Sequence, residues 1–186
     1  MFTSHPDYLE ILQNAGYLFV NPTNLSVGES GWGTKLGFVR DGVQFDPGIG
    51  FIELDQPETG DEPVIGIFTG SNAKVIAPLR NYNINTLSVL FPGLASSATV
   101  KVPNTIKTGT NLYTSHSCRL LYVPEDQTNH PCLLLQKAIP RIHNTARLKF
   151  SQTDPIIFPA VFTAARKTSD VDGIWYLGAL SGAVLR

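Results

Sequence analysis

Two short pairs, His116-Ser117-Cys118 and His130-Pro131-Cys132, are the residues whose types and spacing come nearest to chemistry. Residues i and i+2 of a strand point to one side, so each pair offers an imidazole and a thiolate to one metal ion. Together they would make the donor set of a structural zinc site, but the usual spacings of such sites are absent. The stretch "CRLLYVPEDQTNHPCLLLQKA" reads as a strand, a polar turn and a strand. In that hairpin Cys118 lies at the far end and Cys132 beside the turn, so the two pairs do not meet. The same offset opposes an internal disulfide, whose Cα atoms must approach within about 7 Å. A disulfide between subunits stays open for an oxidising setting, with buried thiols as the default reading.

Other constellations are weaker. A catalytic serine or cysteine needs a base beside it and an acid behind the base. Ser30 in "GESGWG" lacks the G-x-S-x-G elbow, and His5, His116, His130 and His143 sit in no recognisable catalytic frame. No phosphate-cradling glycine loop is present, and Gly31-Trp32-Gly33 is only a turn signal. Asp55, Glu58, Asp61 and Glu62 resemble half a calcium site, but a solvated acidic loop explains them more simply. The expectation is a protein that is not an enzyme and carries no metal or cofactor.

The elements that must position these residues are short. Sixteen glycines and thirteen prolines cut the 186-residue chain into segments filled with β-branched and aromatic residues. That pattern predicts an all-β fold in one domain spanning residues 1–186. Charged residues make up 16% of the chain, against about 25% in ordinary soluble proteins. A surface so poor in charge is often covered by other protein. A net charge of −1 opposes electrostatic capture of nucleic acid, and no apolar run approaches the roughly 18 residues of a membrane span. A soluble chain with no membrane partner, folding in the cytosol that makes it, is expected.

Along the chain, residues 1–15 form an N-terminal arm with a helical turn at "DYLEILQNA", followed by a strand at "GYLFVN". "KLGFVRDGVQF" predicts a hairpin turning on Arg40-Asp41-Gly42, with Leu36, Phe38, Val43 and Phe45 facing inward. "GFIELD" is a further strand and "QPETGDEP" an exposed loop. "VIGIFTG" and "AKVIAPLRNY" predict a second hairpin about Ser71-Asn72. "NINTLSVLFPG" changes period, which predicts one short helix capped by Asn83 or Asn85, with Leu87, Leu90 and Phe91 toward the core and Pro92-Gly93 as its stop. Residues 95–117 are a long polar excursion, a type that is usually functional or ordered by a partner. "ARLKFSQ", "IIFPAVFTAA" and "GIWYLGAL" complete the β series.

The order of these features carries a resemblance. "GTKLGFVRDGV", then "GFIELDQPETGDEP", "VIGIFTGSNAKVIAPL" and the L-x-x-L-x-P-G-like "NINTLSVLFPG" resemble the major tail (tail tube) proteins of tailed bacteriophages, which share a fold with the tube proteins of contractile injection machines. "AIPRIHNTARLKFSQTDPIIFPAVFTA" is similar to the closing strands of that family. The resemblance implies a β-barrel or sandwich with one flanking helix and long inter-subunit loops. It further implies hexameric rings that stack into a virion tail tube, assembled in the host bacterial cytoplasm. Sheath, tape-measure, terminator and baseplate proteins would be partners, and double-stranded DNA would pass through the lumen without specific binding. By the same resemblance, Asp55, Glu58, Asp61 and Glu62 are candidates for ring-to-ring contact, with Lys107, Asn111 and Tyr113 of the polar excursion as a second set, while Leu36, Phe38, Val43, Phe45, Leu87, Leu90 and Phe91 are candidates for the core or the ring interface.

Two alternatives remain beside it. A tail terminator, neck or baseplate-hub ring of the same fold would form one ring without polymerising. A β-sandwich carbohydrate-binding or adhesion module would use Trp32, Trp175 and Tyr176 as a stacking surface.

Overall fold

A computed structural model describes residues 10–12, 14–55, 63–80, 84–90, 116–142, 157–165, 174–183 and 185. Eleven strands and one helix run in the order β1 (Glu10–Leu12), β2 (Gly16–Val20), β3 (Thr34–Val39), β4 (Val43–Asp46), β5 (Ile49–Asp55), β6 (Pro63–Ser71), β7 (Lys74–Leu79), α1 (Ile84–Leu90), β8 (Cys118–Pro124), β9 (Cys132–Ile142), β10 (Phe158–Ala164) and β11 (Trp175–Gly178). The fold is mainly β with one short helix, as the glycine and proline punctuation requires. Nine strands form one antiparallel sheet in the order β1-β4-β7-β10-β9-β8-β2-β3, with β11 also paired to β9. β5 and β6 stand apart as a two-stranded sheet.

The barrel expected from the resemblance is not closed by a strand ladder, because the sheet ends at β1 and β3. Its β3 end nevertheless approaches β7. Arg80 N, just beyond β7, donates to Phe38 O of β3 at 3.3 Å, and the Arg80 guanidinium meets Asp41 at 3.0 Å across the β3–β4 link. That ion pair is largely solvated and adds little stability.

Both predicted hairpins are corrected. β3 pairs with β2, while β4 pairs with β1 and β7, so the chain at Arg40-Asp41-Gly42 steps from one end of the sheet toward the other. Only Gly42 has a positive φ there, whereas a type I′ hairpin turn needs it at two successive residues. Likewise β6 pairs with β5, and β7 with β4 and β10. Neither Ser71 nor Asn72 is in the left-handed region, so this link carries the chain from the small sheet into the large one. The helical turn expected at residues 7–15 is also overturned in part, since Glu10–Leu12 extends beside β4.

The strand-turn-strand at residues 118–138 and the helix do form. β8 and β9 are antiparallel, with Leu121 opposite Leu134. Their nearly continuous apolar runs reflect covering on both faces. One face carries the main core, including Leu18, Leu36, Val43, Phe45, Leu79, Leu90, Leu120, Tyr122, Leu133 and Phe162. The other carries a smaller cluster of Phe19, Leu25, Leu121, Val123, Cys132 and Leu134. Leu90 of α1 is buried in the main core and Leu87 packs half-buried against it. The buried Thr86 hydroxyl donates to Leu36 O, tying the helix to β3.

Phe38 departs from the inward pattern for a definite reason. The β2–β3 register passes from Leu18 opposite Gly37 to Phe19 opposite Lys35, leaving Leu36 as the extra residue of a bulge. Beyond it the alternation is reset, so Leu36 and Val39 enter the main core while Phe38 lies half-buried against Tyr17, ring centroids 5.2 Å apart.

Three prolines sit inside strands at positions where no N–H is needed. Pro78 opposes Pro159, and Pro140 opposes Phe162. Val161 and Pro159 direct their backbone polar groups toward β9, but the β9–β10 ladder begins only at Ala160. Pro78 in turn points toward β4, whose pairing with β7 stops at Ile76. Each proline thus falls past the end of the ladder that its missing donor would have joined.

Candidate functional site

The histidine and cysteine pairs are positioned by the β8–β9 hairpin. Cys118 lies opposite Ala138, and Cys132 begins β9 and pairs with Gly178 of β11. Cys118 packs into the main core and Cys132 into the opposite cluster, so the thiols face different sides of the sheet. Burial pushes the Cys118 thiol up to about 12 and the Cys132 thiol up to about 11. Burial thus favours the protonated thiol at both positions. Among the described residues no three His, Cys, Asp or Glu side chains gather as a metal site.

The turn between these strands is built by Asp126. Its carboxylate accepts from Asn129 Nδ2 at 2.7 Å, Thr128 N at 3.1 Å and Asn129 N at 3.3 Å, and the Asn129 side chain is the main cause holding its pKa below the ordinary value. Asp126 O accepts from His130 N, which places His130 in turn geometry. Ser30 likewise commits its hydroxyl to Val27 O at 3.2 Å.

His116 is different. Burial lowers its pKa from 6.5, opposed by a hydrogen bond with the Val89 backbone at the end of α1, and its Nε2 is buried with no hydrogen-bond partner among the described residues. A depressed folded value means that the unfolded chain takes up the proton first. The contribution of His116 to stability is therefore complete above pH 6.5 and lost as pH falls toward the lowered value. Urea midpoints are expected to be flat between about pH 8 and 7 and to drop below about 6.5, and His116→Asn should flatten that drop.

The aromatic trio does not form one platform. Trp32 stands edge-on to Phe19 at 5.3 Å and Trp175 edge-on to Phe45 at 5.1 Å. These contacts lie on opposite faces of the sheet, and Tyr176, next to Trp175 on β11, joins the Trp32 side. Lys35 Nζ sits 3.6 Å from the Tyr17 ring centroid and 2.9 Å from Glu29 Oε1, so this amine is already engaged.

What stands out from the body is the β5–β6 hairpin. Ile49 is 46% exposed and Ile52 51% exposed. Thr69 and Val64 are the extra residues of two bulges on β6, so β5 keeps its alternation and the two isoleucines occupy opposite faces. An element with apolar residues exposed on both faces at these positions is not packed on its own protein there.

Its base is fastened tightly. Asn72 N donates to Gly48 O at 2.9 Å, Gly48 N to Asp46 Oδ1 at 2.9 Å, and the Ser71 hydroxyl to Pro47 O. Trp175 Nε1 donates to Ser71 Oγ at 3.2 Å. Gly48 has φ +53, and a Cβ there would lie 2.4 Å from Asn72 O, so only glycine lets the entering and leaving chains cross this closely. Nothing local to Pro47-Gly48 announces Ser71 and Asn72 as its partners, or Trp175 as the partner of Ser71.

Of the contact candidates, Asp55 ends β5 with its backbone opposite Pro63. Glu58, Asp61, Glu62, Lys107, Asn111, Tyr113 and Phe91 lie outside the described residues, as do His5 and His143 and the capping position Asn83. No helix among the described residues is long and apolar enough to cross a membrane. No family model matches the chain, and the comparison with curated proteins finds no match.

Proposed function

We propose that this chain is a structural subunit that joins copies of itself head to tail into rings, and that the rings stack into a tube of the tailed-phage type. The observation that carries the reading is the clamped β5–β6 hairpin, which holds isoleucines in solvent on both faces while its base is fixed to the body. An arm fixed at its base that leaves Ile49 and Ile52 about half exposed is suited to a heterologous contact, in which an arm on one copy meets a different surface on the next. Such contacts close a ring when the rotation closes, and rise and rotation between rings make an open tube.

The low charge content and the net charge of −1 support the same reading, since a surface destined for protein contact and a conduit for DNA both work without dense Lys and Arg. Trp32 and Trp175 pack on opposite faces of the sheet and so do not share one stacking surface for a glycan. Purified protein viewed by negative-stain electron microscopy is expected to show long tubes of uniform width. Isolated rings would favour a terminator or hub of the same kind, and a monomer at all concentrations would reject self-assembly.

A further inference from the structure

Past β11 the chain turns back over the outer face of the sheet as a short 3-10 turn, Leu180–Gly182, between Ala179 and Ala183. Its backbone hydrogen bonds among the described residues are internal, from Gly182 N to Ala179 O at 3.1 Å and from Ala183 N to Leu180 O at 3.2 Å. Leu180, Ala183 and Leu185 pack on the cluster of Phe19, Leu121 and Leu134 but remain partly exposed. Between this segment and the sheet lies a pocket of roughly 240 Å³ lined by Cys132, Leu134, Tyr176 and the segment itself. Atoms facing such a void lack contacts on one side, so the segment is held less firmly than a close-packed element.

The ladder between β9 and β11 ends where Gly178 opposes Cys132, and Gly178 has φ +147, a conformation other residues rarely adopt. No atom lies within 4 Å of a Cβ built there, so the need for glycine is one of backbone freedom and not of space.

We propose that Ala179–Ala183 is a hinged strap that opens at Gly178 while the sheet stays folded, uncovering the apolar trough over Cys132, Leu134 and Tyr176. Among the described residues opening breaks no hydrogen bond to the sheet and gives up only partly buried apolar contacts, which places it among low-cost local openings and not global unfolding. This inference stands apart from the assembly reading and holds for a single copy.

Cys132 reports the strap, and Cys118 on the other face serves as the internal comparison. The closed state hides Cys132 and raises its pKa, so alkylation requires opening, which restores ordinary acidity. The full-length protein is pulsed with iodoacetamide at fixed pH across sub-denaturing urea, and each cysteine is read by peptide mass mapping. Cys132 is expected to react at least about 100-fold faster than global unfolding allows, and with a urea dependence far shallower than that of unfolding followed by fluorescence. Gly178→Ala, which strains the hinge in the closed state, is expected to change the Cys132 rate roughly tenfold and leave Cys118 unchanged. A Cys132 urea slope equal to that of global unfolding would overturn the strap. A Cys132 rate equal to that of an unstructured thiol peptide would overturn it too, by showing that the segment covers nothing.

Discussion

Phe45→Ala is expected to lower the free energy of unfolding by about 3–5 kcal/mol, read from urea transitions at neutral pH. Phe45 is fully buried on a strand of only four residues, β4, which must join both β1 and β7. Its ring meets the edge of Trp175 at 5.1 Å with an interplanar angle of 73°, so truncation empties a site that two elements share. The indole of Trp175 also donates to Ser71 at the base of the β5–β6 hairpin. The cavity should therefore loosen that base as well as the core. Phe45→Leu, which keeps most of the volume, should cost about 1.5 kcal/mol or less. Against a typical total of about 5–15 kcal/mol the alanine variant would be near the limit of folding. A loss below about 1 kcal/mol would mean that the site collapses without cost and that β4 is not held by this packing.

Which parts of this fold were readable in the sequence follows from the range of the forces involved. Segments such as β2, β5 and β8–β9 declare themselves through β-branched or apolar runs bounded by turn residues, and α1 through a change of period. Partner choice is another matter. Arg40-Asp41-Gly42 and Ser71-Asn72 both allow the chain to change direction, but whether the strands on either side pair depends on long-range packing that composition does not encode. The bulge at Leu36 illustrates the limit, since one extra residue moves Phe38 to the other face without any local signature.

The site was less legible than the fold. The histidine and cysteine pairs attracted notice because their chemistry is visible one residue at a time. The hairpin clamp joins Gly48 to Asn72 and Ser71 to Trp175, contacts between residues far apart in sequence, each of which reads alone as an ordinary turn or core residue. Exposure of Ile49 and Ile52 is also invisible beforehand, because an apolar residue in a strand reads by default as core.

Those two isoleucines carry the sharpest test of assembly. The double variant Ile49→Asp with Ile52→Asp is expected to leave the monomer fold intact and to abolish tubes. Both side chains are about half exposed in the isolated chain, so their loss should cost the monomer only about 1 kcal/mol each. In a ring the same positions would be buried against the next copy, where the half of each side chain still exposed in the monomer contributes about 1 kcal/mol more. An aspartate there would add the penalty of a charge without a partner. Because every contact in a closed ring repeats the change, the penalties accumulate over the ring, and self-association should fall by several orders of magnitude. Circular dichroism and thermal midpoints close to wild type, with only monomers by electron microscopy and sedimentation, are the expected outcome. Ile157→Asp, at an exposed isoleucine outside the hairpin, controls for added negative charge and should assemble normally. Tubes formed by the double variant at wild-type concentrations would remove the hairpin from the interface, whatever else holds the copies together.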